Sequence, residues 1–161
     1  MRKDKINYYL DVAQSVTERS TCLRRHYGCI IVKNDEIIAT GYNGAPRGRK
    51  NCDELGYCYR EKMQIPRGER YELCRSVHAE QNAIISAPRK DMIDAILYIV
   101  GINSSDGNYV SNSMPCAMCK RVIINSGIKK IIIRDTKTKY REITVDEFID
   151  NDDSLSGVFG Y

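Results

Sequence analysis

His78-Ala79-Glu80, answered far downstream by Pro115-Cys116-Ala117-Met118-Cys119, constrains this chain more than any other feature. One imidazole and two thiols are zinc ligands, and a zinc held by three protein donors keeps its fourth position for water. Any fold of this sequence that uses the metal must therefore bring two distant segments to one point. Cys116 and Cys119 stand three apart in a segment headed by Pro115 and followed by an apolar tail, so both sulfurs fall on one face of a helix start. The partial positive charge and free amides at a helix N-terminus favour the thiolate form. Residues 78–87 predict a second short helix, stopped by Pro88, with His78 at its mouth. Glu80 is too close in sequence to His78 to share its face as a co-ligand, yet near enough to reach water at the metal, which marks it as a proton shuttle. A lone Cys-x-x-Cys reads as a structural half-site or a redox pair. A closed four-ligand structural site would leave Glu80 without a role.

The stretch 43–75 poses a second problem. It is rich in Gly, Arg, Glu and Tyr, poor in aliphatics, and far longer than the ~12–15 residues usual for a loop without structure of its own. Gathering Cys22, Cys52, Cys58 and Cys74 would make a closed four-thiolate site for a second, structural zinc that ties this insertion to the body of the fold. His26 is an alternative to one of the four. Cys29 lies in the buried-strand pattern Gly28-Cys29-Ile30-Ile31-Val32 and reads as a small core residue.

Composition sets bounds on class. A chain of 161 residues fits a single domain, 1–161, carrying the Cys-rich insertion, and buries roughly 70% of the surface of its unfolded form. Seven cysteines without an apolar N-terminal signal segment point to a reducing cytoplasm and to metal use rather than disulfides. No run approaches the ~20 apolar residues of a membrane span, so no membrane association is expected. The net charge of +4, from 25 basic and 21 acidic residues mixed along the chain, does not call for a DNA or RNA partner. Tyr57, Tyr59 and Tyr71 cluster in the insertion, where packing and subunit contacts are their commoner use.

The apolar periodicity predicts a helix from about Lys5 to Arg19, with Ile6, Leu10, Ala13 and Val16 on one face. Strands are predicted near Cys29 to Lys33 and Glu36 to Thr40, joined at Asn34-Asp35, and again at Ile96 to Val100 and Ile131 to Ile133. Gly101 to Met114 reads as a polar loop, Gly127 as a helix C-cap, and Val145 to Ile149 as a helix before a polar, acidic tail. Strands alternating with helices indicate an α/β fold, one sheet with helices on both faces.

His-x-Glu followed by Pro-Cys-x-x-Cys is the signature of the zinc nucleobase deaminases, and from about Ser20 to Arg134 the chain resembles the cytidine and deoxycytidylate deaminase superfamily. The loop Gly41-Tyr42-Asn43-Gly44, with Pro46 after it, is similar to the deoxycytidylate deaminases. The resemblance implies a three-layer α/β/α fold around a mixed five-strand sheet, with His78, Cys116 and Cys119 on a catalytic zinc and Glu80 carrying the proton. It implies hydrolytic deamination of dCMP to dUMP with loss of ammonia, supplying dUMP for thymidylate synthesis. Asn43 would lie beside the sugar, with Gly44 allowing close backbone approach. Arg47, with Arg49 and Lys50, is either placed to meet the phosphate or part of a solvated loop. The resemblance also implies a second zinc near the insertion, a homo-oligomer (hexamer or dimer) and dCTP and dTTP as effectors. The competing readings are a tRNA adenosine deaminase or another cytidine or CMP deaminase, with a non-catalytic zinc-binding module last.

Overall fold

Asn34 and Asp35 both adopt left-handed backbone conformations, with φ of +49° and +65°. That is the requirement of a two-residue turn whose twist matches its strands. It joins β1 (Arg25–Lys33) to β2 (Glu36–Tyr42) as the antiparallel start of the sheet. The computed structural model describes residues 1–155, and the end of the expected acidic tail, 156–161, lies outside the described residues. β1 also pairs antiparallel with β3 (Ile96–Asn103), β3 runs parallel to β4 (Lys130–Arg134), and β4 pairs antiparallel with β5 (Tyr140–Thr144). The strand order is β2-β1-β3-β4-β5. A parallel pair needs a crossover, and the β3 to β4 connection carries one of the metal-site helices.

The middle stretches of the central strands, Cys29–Val32, Leu97–Val100 and Ile131–Ile133, are runs of buried and largely aliphatic residues because both of their faces are covered. Cys29, Ile31, Leu97, Ile99, Ile131 and Ile133 point to one face; Ile30, Val32, Tyr98, Val100 and Ile132 point to the other. Fully burying each such aliphatic side chain contributes about 1.5–3 kcal/mol. Helix α1 (Lys5–Thr17), capped by the Asp4 side chain, covers the second face through Tyr9, Leu10 and Ala13. The first face is covered by α4 (Ala79–Ile85), α5 (Arg89–Met92), α6 (Ala117–Ser126) and α7 (Val145–Asp150). Two glycines set how closely the layers approach. A Cβ on Gly28 would stand 2.3 Å from the Ala13 carbonyl oxygen of α1, and one on Gly41 would stand 2.3 Å from the Ala79 carbonyl oxygen of α4. Gly41 thus holds the start of α4, and His78 before it, hard against the sheet. No helix among the described residues is long and apolar enough to cross a membrane.

The structure extends the predicted strands. β1 begins at Arg25, β2 runs on to Tyr42, and β3 runs on to Asn103 within what the sequence reads as polar loop, where Ile102 also bridges Tyr109. Helix α1 stops at Thr17, two residues short of Arg19; the Thr17 hydroxyl bonds back to the Gln14 carbonyl at 2.6 Å. Periodicity alone did not reveal β5, an edge strand in which only Ile143 is buried.

The insertion contains α2 (Cys52–Leu55), α3 (Tyr59–Lys62) and a 3-10 turn at Tyr71–Leu73. Much of its order comes from a buried guanidinium. Arg60 stacks on the Tyr71 ring at 4.4 Å and donates through Nη2 to the carbonyls of Pro66 (3.2 Å) and Glu69 (2.6 Å). Asn51 anchors the other end, where its Oδ1 accepts from Thr21 Oγ1 at 3.0 Å and the Ala45 amide at 3.2 Å.

Candidate active site

His78 is the N-cap of α4 and Cys116 the N-cap of α6, both with extended backbones that turn their side chains across the helix mouths. Helices α4 and α6 contact each other, so the two N-termini converge. His78 Nδ1 lies 3.4 Å from the sulfur of Cys116 and 3.4 Å from that of Cys119. All three ligand atoms fall within 4.8 Å of one another. A tetrahedral zinc with bonds of about 2.3 Å to sulfur and about 2.0 Å to nitrogen separates those donors by about 3.5 Å, so the observed spacing fits the ion. His78 is further fixed by its own amide, which donates to Gln81 Oε1 at 3.0 Å, and by the Tyr71 ring, which meets the imidazole edge to face at 5.5 Å.

The electrostatics of the metal-free site are those of shared protons. The Cys116 thiol is pulled down to about 4, chiefly by the hydrogen bond from Cys119 and, against burial, by His78. Cys119 is driven the opposite way by the Cys116 thiolate and by its own burial. Burial disfavours the charged form of His78, but hydrogen bonds with the Cys116 and Cys74 sulfurs and the Glu80 charge outweigh it and raise the imidazolium to about 11. Glu80, only 7% exposed, has its carboxyl pushed up by burial, with His78 pulling against it. A divalent cation replaces those protons, because thiolates and neutral imidazole are its ligand forms.

Glu80, His78 and Cys116 stand in the wall of a cavity of about 360 Å³. Asn43 also lines it, but most of its amide is committed: Oδ1 accepts from Ser20 Oγ (2.6 Å) and the Tyr27 amide (2.9 Å), and Nδ2 donates to the Arg25 carbonyl (2.9 Å). One Nδ2 hydrogen is left for a ligand. Gly44 departs from its expected role. Its amide and carbonyl are both taken by Val77, at 3.2 and 2.7 Å, so it braces the approach to His78 and is not among the residues lining the cavity. Arg47, read as either a phosphate contact or part of a solvated loop, stands on an exposed turn outside that lining, as do Arg49 and Lys50.

Cys22, Cys58 and Cys74 share the cavity wall, and the thiol of buried Cys52 is raised by its burial and then by the charges of Cys22, Cys74 and Cys58. Among the described residues these four sulfurs do not form a group within 4.8 Å; His78, Cys116 and Cys119 do. His26 spends Nε2 on the Cys22 carbonyl at 2.9 Å. Cys29 is fully buried in the core, its thiol pushed well up by burial. The sequence reading missed Gln81, Tyr71 and the arginines of the cavity wall. Gln81 carried a usable signal, since a Gln three residues after an N-cap is a capping-box position; Tyr71 and the arginines carried none.

Paired helix mouths offering one nitrogen and two sulfurs, with a carboxyl buried beside them under a mixed sheet, define a mononuclear zinc centre of the hydrolytic kind. Residues 3–134 match the family described as the cytidine and deoxycytidylate deaminase zinc-binding region, and the chain belongs to that family. The deoxycytidylate deaminase of Schizosaccharomyces pombe is 35% identical over 127 residues, 78% of this chain and 35% of that protein. The deoxycytidylate deaminase of Mycobacterium phage D29 is 33% identical over 136 residues, covering 81% of this chain and 94% of the phage protein. The chain thus spans about a third of the length of the yeast relative and nearly all of the phage one. Among solved structures, the dCMP deaminase of cyanophage S-TIM5 in complex with dCMP and dUMP superposes with a TM-score of 0.55 at 25% identity, over 84% of this chain and 85% of that one.

Proposed function

We propose that this chain catalyses the zinc-dependent hydrolytic deamination of dCMP to dUMP, releasing ammonia. The observation that carries the reading is the convergence of His78 Nδ1 with the Cys116 and Cys119 sulfurs next to the buried Glu80 in a cavity wall. The names of the yeast and phage relatives, and the nucleotides bound in the cyanophage structure, support the choice of substrate. Zinc, when bound, supplies Lewis acidity and a water activated near neutral pH. Glu80 takes one proton from the attacking water and hands it to the ring nitrogen of the base, then carries the second proton of that water to the leaving amine, so that ammonia departs as the carbonyl forms. Its raised carboxyl suits that task, since the most efficient proton carrier has a pKa near the working pH. Gln81 and Tyr71 hold His78 in place, and the free Nδ2 hydrogen of Asn43 is directed to the sugar. A substrate panel tests the assignment. The highest kcat/KM is expected for dCMP over CMP, deoxycytidine and tRNA; activity on tRNA adenosine alone would overturn it.

We infer also that Cys22, Cys52, Cys58 and Cys74 hold a second, structural zinc, the sulfurs drawing together around the ion. Cys22, Cys58 and Cys74 share one cavity wall, and all three act on the thiol of the buried Cys52, which supports this. Metal analysis is expected to give about two zinc ions per chain, falling to about one in Cys52→Ser, by closed-site stoichiometry; a single zinc in the unsubstituted protein would refute the second site. The free thiols suit a reducing cytoplasm.

A further inference from the structure

We propose that the phosphate of a 5′-mononucleotide is gripped by the guanidinium groups of Arg25, Arg60 and Arg67, so that the Cys-rich insertion, not the Arg47 turn, makes this site selective for a phosphorylated nucleoside. The inference rests on the deaminase reading above and specifies how its substrate is chosen.

The charge of the cavity carries the argument. Four arginines line it, Arg24, Arg25, Arg60 and Arg67, against one carboxylate, Glu80. Arg24 is already paired with Glu61 at 2.8 Å. Among the described residues, Arg25, Arg60 and Arg67 have no carboxylate within ion-pair distance.

Arg60 is the informative member. It is only 5% exposed, its Nη2 bonds reach two carbonyl oxygens, and its Nε is buried without a partner. Carbonyls satisfy hydrogen bonds but do not neutralise charge, and an uncompensated buried cation is strongly unfavourable. Glu72, next to Tyr71 in the chain, is paired with Arg70 and so is not a counter-ion of Arg60. An incoming dianion completes the balance, and guanidinium forks match phosphate oxygens in geometry.

Position agrees with chemistry. The Tyr71 ring carries Arg60 on its face and meets His78 edge to face. One aromatic ring therefore separates the metal-ligand imidazole from the buried cation, a reach suited to a mononucleotide with its base at Glu80 and its phosphate at Arg60. Arg25 reaches the same cavity from β1, and Arg67 comes from the loop that Arg60 itself holds through the Pro66 and Glu69 carbonyls.

The diagnostic variants are Arg25→Gln and Arg67→Gln, which leave the bonds Arg60 makes within the insertion in place. Steady-state kinetics with dCMP and with deoxycytidine measure the grip. The double variant is expected to lose about 100-fold or more in kcat/KM for dCMP while deoxycytidine changes by less than about threefold; Arg47→Gln should leave both within about twofold. An unchanged ratio of the two substrates in the double variant, or a collapsed ratio in Arg47→Gln, would overturn the proposal. Calorimetric binding of dUMP, which needs no turnover, separates this inference from the one beneath it. If the unsubstituted protein fails to deaminate dCMP, the deaminase reading falls, and weakened dUMP binding in the double variant would still uphold the grip. Equal dUMP affinity in the two proteins would sink the grip whatever the activity.

Discussion

Glu80→Gln protein is expected to keep its full zinc complement and to deaminate dCMP about 10²- to 10⁴-fold more slowly, the usual contribution of a positioned acid-base group. Gln has nearly the shape of Glu, and position 80 lies in the first turn of α4 without ligating the metal, so neither packing nor the ligand set changes. What disappears is a group able to take and return a proton. The stability consequence is separable, and its sign is fixed. Burial holds the Glu80 carboxyl above its ordinary value. Below the unfolded-state pKa both states are protonated and the group costs nothing. As pH rises past that value the unfolded chain releases its proton while the folded chain retains it, and folding loses stability. Metal-free Glu80→Gln should therefore match the metal-free parent in acid and become the more stable of the two towards neutral pH. Thermal melts across that range check this, and a variant equally stable at every pH would contradict the buried-acid picture.

Cys119→Ser is expected to remove one zinc per chain together with all measurable turnover. Cys119 is fully buried: it packs with Ala79, Ala83 and Ile123 while its sulfur reaches His78 Nδ1. A serine there gives up a soft ligand and buries a hydroxyl that has no comparable partner. An ion present at 1,000 times its Kd adds about 4 kcal/mol to folding stability. In a domain of this size each kcal/mol shifts Tm by about 2–4 °C. The portion of the zinc-dependent rise in Tm due to this site, roughly 8–16 °C on those two relations, should vanish in the variant. Titration of zinc into metal-free protein, followed by calorimetry, measures it. Retention of both the ion and the activity would mean that Cys119 is not a ligand.

The parts of the site that could be read from the sequence were those where one local rule dictated position. Pro115 ahead of Cys116, and Pro88 closing the helix after His78, put the ligands at helix mouths before any contact was known. The alternation of Ile30 with Ile31 and of Leu97 with Tyr98 likewise placed strands buried on both faces. The failures came where long-range context decides. β5 offers a single buried residue, Ile143, among charged neighbours and gains its identity only by pairing with β4. For Gly44 and Arg47 the local sequence left the role open: the structure pairs Gly44 with Val77 and sets Arg47 on the 46–49 turn, and neither lines the cavity. Arg60 is one of several arginines in a polar insertion, and nothing in its local sequence sets it apart. Only its stacking on Tyr71 and its burial show that it organises that segment.

Zinc-edge X-ray absorption on the Cys52→Ser protein, in which a single ion should remain, bears most directly on the proposed centre. Two sulfur and two nitrogen or oxygen neighbours are expected, the composition of a site held by Cys116, Cys119 and His78 with one position left to solvent. Three or four sulfurs around that ion would mean a closed structural site, and the catalytic account would be contradicted.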